Sequence, residues 1–144
     1  MITESALIAE AVAWVGTPFH HNQSCKGKGA DCVGLCIGIY KALGALPPTY
    51  FPPPYSQQWH MHQNEEVLIK VLMHHGFRKV ELCDARPGDV FAFKYGRVAS
   101  HVGLCIGDGE FVHSFYMLGR VVRQPLAGDL KNRLVGVYRS PWMD

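Results

Sequence analysis

One thiol and two imidazoles form the reactive set of this sequence: Cys32 in Asp31-Cys32-Val33-Gly34-Leu35, His101 in Ser100-His101-Val102-Gly103, and His113 in Phe111-Val112-His113. A thiol, an imidazole and a polar group that orients the ring are the parts of a cysteine nucleophile with its general base, so the set implies hydrolysis through a covalent intermediate on sulfur. Each part also has a plainer reading. Free cysteine is among the most buried residue types, and a cysteine opening an apolar helix is commonly a packing residue. Histidines on half-buried strands are commonly satisfied structural groups. The conjunction of all three favours catalysis.

The elements that must place these groups are legible nearby. Lys26-Gly27-Lys28-Gly29-Ala30 reads as a flexible turn, Asp31 as a helix N-cap, and Val33 to Leu43 as an apolar helix stopped by Gly44. Cys32 then lies in the first helical turn, where the helix dipole favours a thiolate that a free thiol, pKa about 8.5, supplies only to a few per cent at neutral pH. Gly34 and Gly38, one turn apart, predict a close neighbour along one helix face, expected to be the sheet that carries the histidines.

Alternation along Ser100 to Ile106 puts His101, Gly103 and Cys105 on one face and Val102, Leu104 and Ile106 on the other. Gly107-Asp108-Gly109 turns the chain into Glu110 to Ser114, and the turn decides the face of His113. A two-residue Asp108-Gly109 turn pairs Leu104 with His113 and separates the histidines. A three-residue turn, with Gly109 as a left-handed bulge, pairs Gly103 with His113 and sets it diagonal to His101 on one face. A working triad requires the three-residue turn.

Elsewhere, Thr3 to Val15 reads as a first helix with Leu7, Ala11, Trp14 and Val15 on one stripe, ended by Gly16-Thr17-Pro18. Ala45 to Tyr55, rich in proline and aromatics, is expected to be a rigid connection or a groove wall. Ser56 to His75 has helical spacing at Val67, Leu68, Val71 and Leu72 and is stopped by Gly76. Strands are predicted near Val80, Val90, Val102, Val112, Val121 and Val137. Helices followed by a mostly antiparallel sheet make an α+β fold, and the chain, 144 residues long, reads as one domain over residues 1–144.

A formal net charge of +2 argues against nucleic-acid binding by electrostatics. The five cysteines are an odd number, and no charged-then-apolar leader precedes the first helix, so free thiols made in a cytoplasm are expected rather than a disulfide framework or a secretory route. No apolar run approaches about eighteen residues, so no membrane span is expected. His20-His21, His60-x-His62 and His74-His75, and a set of Cys32, His101 and His113, have the residue types of metal ligands. Adjacent histidines diverge and no cysteine pair has a two-residue spacing, so no metal and no cofactor is expected. The helix C-terminus accounts for His74 and His75. His21, just before the nucleophile turn, is expected to line the cleft.

Gly29-Ala30-Asp31-Cys32-Val33-Gly34-Leu35, Arg86-Pro87-Gly88-Asp89-Val90, Ser100-His101-Val102-Gly103 and Gly109-Glu110-Phe111-Val112-His113 resemble the successive signatures of the NlpC-type cell-wall peptidases. Trp14-Val15-Gly16-Thr17-Pro18-Phe19 with His21, the Arg120 to Leu126 strand, and Arg133-Leu134-Val135-Gly136-Val137-Tyr138-Arg139 resemble the branch encoded with phage tails and gene transfer agents. The resemblance implies a papain-like NlpC-type fold, with the nucleophile helix packed on a mostly antiparallel sheet of about five to six strands. It implies cleavage of an amide bond in peptidoglycan stem peptides, commonly between D-glutamate and a diamino acid. Cys32 would be nucleophile, His101 base and His113 the polar third member, with Asp31, His21, Val33 and Ser100 toward the substrate. One departure stands out: Val33 replaces the usual serine, which in several members helps hold the substrate's free amine, and Asp31 then lacks that partner.

The partners implied are a peptidoglycan stem peptide and, through the tail branch, other phage tail proteins. A wall enzyme without a leader needs a carrier, which a phage tail or tail-like particle would be. Alternative readings are a thiol amidase of the CHAP group and a tail-tip structural or assembly module that kept the fold without cutting. A lecithin:retinol acyltransferase-like enzyme is disfavoured by chain order, since its histidine precedes its cysteine.

Overall fold

A computed structural model describes residues 1–51, 67–96 and 98–144. Helix α1 (Glu4–Ala13) begins where the Thr3 hydroxyl accepts the N–H of Ala6 at 3.2 Å. It buries Leu7, Ala11 and Trp14, but Val15 is 44% exposed and falls off the expected stripe, because the helix has stopped and Gly16 turns the chain at φ 93°. A two-stranded ribbon, β1 (Ser24–Cys25) with β2 (Gly29–Ala30), leads into helix α2 (Cys32–Ala42). Of the expected helix over Ser56 to His75, α3 (Val67–His74) is described, with Gly76 at φ 86° after it. Residues 52–66 of that helix and of the proline-rich stretch lie outside the described residues.

The six predicted strands all form: β3 (Arg78–Val80), β4 (Val90–Tyr95), β5 (Val98–Gly107), β6 (Glu110–Phe115), β7 (Arg120–Pro125) and β8 (Leu134–Arg139). They make one sheet in the order β3-β8-β4-β5-β6-β7, every neighbour antiparallel. A short helix α4 (Gly128–Arg133) joins β7 to β8. The fold is α+β, as expected. Among the described residues no helix is long and apolar enough to cross a membrane.

The sheet separates two cores. On one face Val102, Leu104, Ile106, Val112 and Val121 pack against Leu7, Leu35 and Ile39 of α1 and α2. Each such aliphatic side chain contributes about 1.5–3 kcal/mol when fully buried. On the other face Phe91, Phe93, Cys105 and Phe111 cluster under Leu130 of α4. Asp89, 1% exposed, pins the start of β4 to β8 through both Arg139 contacts, Nε to Oδ1 at 3.0 Å and Nη2 to Oδ2 at 2.9 Å. The Arg86 to Val90 signature is therefore structural.

The glycine face of α2 meets something other than the sheet. A Cβ on Gly34 would run into the Gln23 carbonyl, and one on Gly38 into the Trp14 ring and the Ser24 hydroxyl. The close neighbour is the connection out of α1. The opposite face of the helix, carrying Leu35 and Ile39, covers the sheet.

The turn between β5 and β6 also differs from expectation. It is the two-residue Asp108-Gly109 turn, with φ 55° and 73°, closed by Gly107 opposite Glu110. Two residues on, the register has shifted by one, leaving Ile106 as a bulge between Gly107 and the Cys105–Phe111 pair. The bulge does what the longer turn was expected to do. With Leu104 opposite Val112, His113 comes level with Gly103 and shares a face with His101.

Candidate active site

Asp31 organises the approach to Cys32. Its Oδ1 accepts the Gly34 N–H at 2.7 Å and caps α2; its Oδ2 accepts the Asn22 N–H at 2.8 Å and lies 3.8 Å from His21 Nδ1. Asp31 is 3% exposed, so His21 and Asp31, both expected near the substrate, are brought together with the carboxylate turned to the backbone.

The ladder between β5 and β6 runs only from Gly107–Glu110 to Leu104–Val112. Beyond it Gly103 still lies against His113, and that half of the two strands is where the reactive groups lie. From the helical side, the Cys32 thiol lies against the backbone N–H of Val102, which favours its anion. From the aromatic side, His101 follows the alternation, one residue before Val102. Among the described residues no hydrogen bond joins the thiol to the His101 ring. The two groups flank the same stretch of β5 without being engaged.

The thiol is not the expected thiolate. Burial and then the Asp31 charge push the Cys32 pKa up to about 12, outweighing the N–H groups of Val102, Val33 and Cys32 itself that favour the anion. Cys36, one turn further, is pushed up by burial and by Cys32. All five cysteines are free.

His101 and His113 form a buried relay. His113 Nε2 is 2.8 Å from Gln124 Oε1, and His113 Nδ1 is 2.8 Å from His101 Nε2. An amide oxygen only accepts, so His113 carries its proton on Nε2 and leaves Nδ1 bare to accept the His101 Nε2–H. His101 Nδ1 is then a free base. The rings are boxed by aromatics: Phe93 and Phe115 lie 5.6 and 5.1 Å from His101, and Phe111 lies 4.4 Å from His113. Burial, followed by the neighbouring His113, holds the His101 pKa well below the usual imidazole range; burial lowers that of His113, with the Gln124 hydrogen bond opposing. Both rings are neutral at pH 7, the state a general base needs.

The other expected site residues are more peripheral. Ser100 donates to the Tyr95 carbonyl at 3.4 Å, across a register shift between β4 and β5. Val33 faces a cavity of about 70 Å³ shared with Cys36, Leu68, Val102 and Trp142, an apolar wall between α2 and α3. His74 lies in the last turn of α3, and just beyond it the Tyr50 hydroxyl meets His75 Nε2 at 2.9 Å, while burial lowers the His75 pKa. Among the described residues no three His, Cys, Asp or Glu side chains gather as a metal site, and His60 and His62 lie outside those residues.

Gln124 is the functional residue that sequence reasoning missed. Its signal was alternation along β7. Once β6 and β7 pair with His113 opposite Val122, Gln124 and Arg120 are the polar residues diagonal to His113 on its own face, and it is Gln124 that reaches the ring.

The NlpC/P60 family signature matches residues 16–139. A probable endopeptidase of Mycobacterium tuberculosis is 33% identical over 110 residues, covering 76% of this chain and 23% of that protein. A gamma-DL-glutamyl hydrolase of Bacillus subtilis is 29% identical over 111 residues, covering 75% and 22%. The chain thus spans less than a quarter of the length of these relatives. An NlpC/P60 family protein from Bacillus cereus shares the fold at TM-score 0.66 and 23% identity, over 95% of this chain and 40% of that one.

Proposed function

The chain belongs to the NlpC/P60 family, and on that premise we propose that it is a cysteine peptidase cleaving an amide bond in peptidoglycan stem peptides, with Cys32, His101 and His113 as its catalytic residues. The observation that carries this reading is the relay of Gln124, His113 and His101, which ends in a bare Nδ1 next to the strand position where the Cys32 thiol docks. A relay that fixes one tautomer of a neutral imidazole suits proton transfer from a neutral thiol.

In this mechanism the thiol leaves the Val102 N–H, its proton passes to His101 Nδ1, and Sγ attacks the amide carbonyl carbon. The tetrahedral adduct collapses to a thioester as His101 gives the proton to the departing amine, and water activated by the same nitrogen then hydrolyses the thioester. The bond between D-glutamate and a diamino acid is the favoured target, supported by the resemblance and by the Bacillus subtilis relative described as a gamma-DL-glutamyl hydrolase. Val33, apolar and turned to the cavity, supplies no hydroxyl for the substrate amine, so that amine must be met by other groups of the cleft.

Digesting purified muropeptides and weighing the products tests this. The expected result is a new pair of masses that sum to the parent plus one water, absent with Cys32→Ala. A folded protein that leaves every muropeptide intact yet binds them would favour the second reading, a silent wall-binding or tail assembly module, which the docked and protonated thiol supports.

Delivery on a phage tail or tail-like particle is part of the proposal. Two of the three segments resembling the tail-associated branch meet: Pro18 bridges to Arg120, Phe19 N–H donates to the Gly119 carbonyl at 2.8 Å, and Val121 N–H donates to the Thr17 carbonyl at 2.8 Å. Immunodetection on purified particles is the test, and finding the protein only in host cytoplasm would refute that placement.

A further inference from the structure

We infer that Gln124 is the positioning residue that sets the tautomer of the whole proton relay, so that the reactivity of His101 Nδ1 depends on an amide two residues removed from it. The inference rests on the peptidase reading above for its kinetic consequences, but not for its geometry. His113 is fully buried, and its two ring nitrogens have one partner each, His101 Nε2 and Gln124 Oε1, both at 2.8 Å. With two histidines in series, either direction of donation satisfies the bond between them. The partner at the far end breaks that symmetry. A carbonyl oxygen at His113 Nε2 demands a proton there; His113 Nδ1 must then accept, His101 Nε2 must donate, and His101 Nδ1 is left bare. Reversing the relay would put the proton on His101 Nδ1 and abolish the base.

The amide is also the right charge. When His101 Nδ1 takes the thiol proton, the imidazolium is stabilised by donating Nε2–H to neutral His113, and no proton need leave the relay. A carboxylate in place of Gln124 would favour His113 as imidazolium, whose Nδ1–H could no longer accept from His101. Position 124 therefore selects a neutral acceptor. It lies half-buried on β7, diagonal to His113, where the strand pairing fixes its reach.

Gln124→Leu and Gln124→Glu together test the inference. Gln124→Leu should lower kcat by about 10- to 100-fold at every pH with KM little changed, because the ring stays but its tautomer is released. Gln124→Glu should move the acidic limb of kcat/KM upward by about one to three pH units and recover most of kcat above it, which a merely structural role would not do. Independently of turnover, imidazole nitrogen NMR of the Cys32→Ala protein should show His113 protonated on Nε2 and His101 on Nε2, with mixed tautomers after Gln124→Leu. His113 protonated on Nδ1, tautomers indifferent to Gln124→Leu, or a Gln124→Leu enzyme with parental kcat and pH profile would overturn it. If the NMR result holds and the parent cleaves nothing, the peptidase reading fails and the tautomer relay stands.

Discussion

The two faces of the sheet are built from different materials for different ends. The face under α1 and α2 is largely aliphatic where it interlocks with Leu7, Leu35 and Ile39, and its buried Tyr40 and Ser114 hydroxyls each donate to a single backbone carbonyl. The other face is aromatic and carries two histidines among Phe93, Phe111 and Phe115. An aliphatic core only has to exclude water. The aromatic one has to exclude water and also hold a directed chain of hydrogen bonds, since a buried imidazole left without a partner costs about 1–3 kcal/mol. The nucleophile belongs to the first face and its base to the second. Both flank the stretch of β5 beyond the last β5–β6 pair, Leu104 with Val112.

This division has measurable consequences. Replacing His101 by Ala should cut kcat/KM by more than about 10³-fold, whereas His113→Asn should keep part of the activity, because an amide oxygen can still accept the His101 Nε2–H. His113→Ala as active as the parent would mean that the aromatic face is only a core.

Truncations on the two faces should differ in kind. Leu7→Ala should cost about 2–5 kcal/mol of stability and leave kcat of the folded enzyme unchanged. Phe111→Ala, which removes the ring 4.4 Å from His113, should cost about 3–5 kcal/mol and lower kcat as well. Urea unfolding and steady-state kinetics on the same samples separate the two, and equal kcat for both variants would erase the distinction.

How far the sequence reached depends on whether a feature is local. Asp31, the apolar run and Gly44 announced α2 because caps and stops act within a turn, and strand signals located the six strands of the main sheet, while the short ribbon β1–β2 lies where a flexible turn was expected. The shared face of the histidines was legible, but its device was not: a bulge at Ile106 depends on how two strands settle against each other, and the Asp108-Gly109 dipeptide reads the same with or without it. Gly34 and Gly38 signalled a close approach without saying to what, since the partners Trp14, Gln23 and Ser24 are chosen by tertiary packing. The thiolate expectation erred for a related reason. The helix N-terminus is visible in sequence, but the burial that overrides it is not.

The pH dependence of stability follows from the same burial. His101 and His113 have folded-state pKa values below the unfolded value of about 6.5, so the unfolded chain binds more protons as the medium acidifies. Their contribution is fully kept above pH about 6.5 and declines below it, by about 1.4 kcal/mol per pH unit for each histidine while its folded form stays neutral. Urea midpoints between pH 7 and 5 should fall, and fall less in His113→Asn. A midpoint that rises on acidification would contradict the neutral relay.

A smaller effect distinguishes the cysteines. Cys25 and Cys83 are exposed whereas Cys32 is docked and protonated, so iodoacetamide at pH 7 should label Cys25 and Cys83 first and Cys32 later in the resting protein. Substrate that draws the thiol toward His101 should change the Cys32 rate alone.

The most direct measurement is capture of the covalent intermediate. Purified protein mixed with muropeptides, quenched in acid within a turnover and weighed intact, should carry the mass of an acyl fragment, mapped by peptide analysis to Cys32 and absent from Cys32→Ala. Muropeptides cleaved at the parental rate by Cys32→Ala would contradict Cys32 as the nucleophile, as would an acyl fragment found on any other residue.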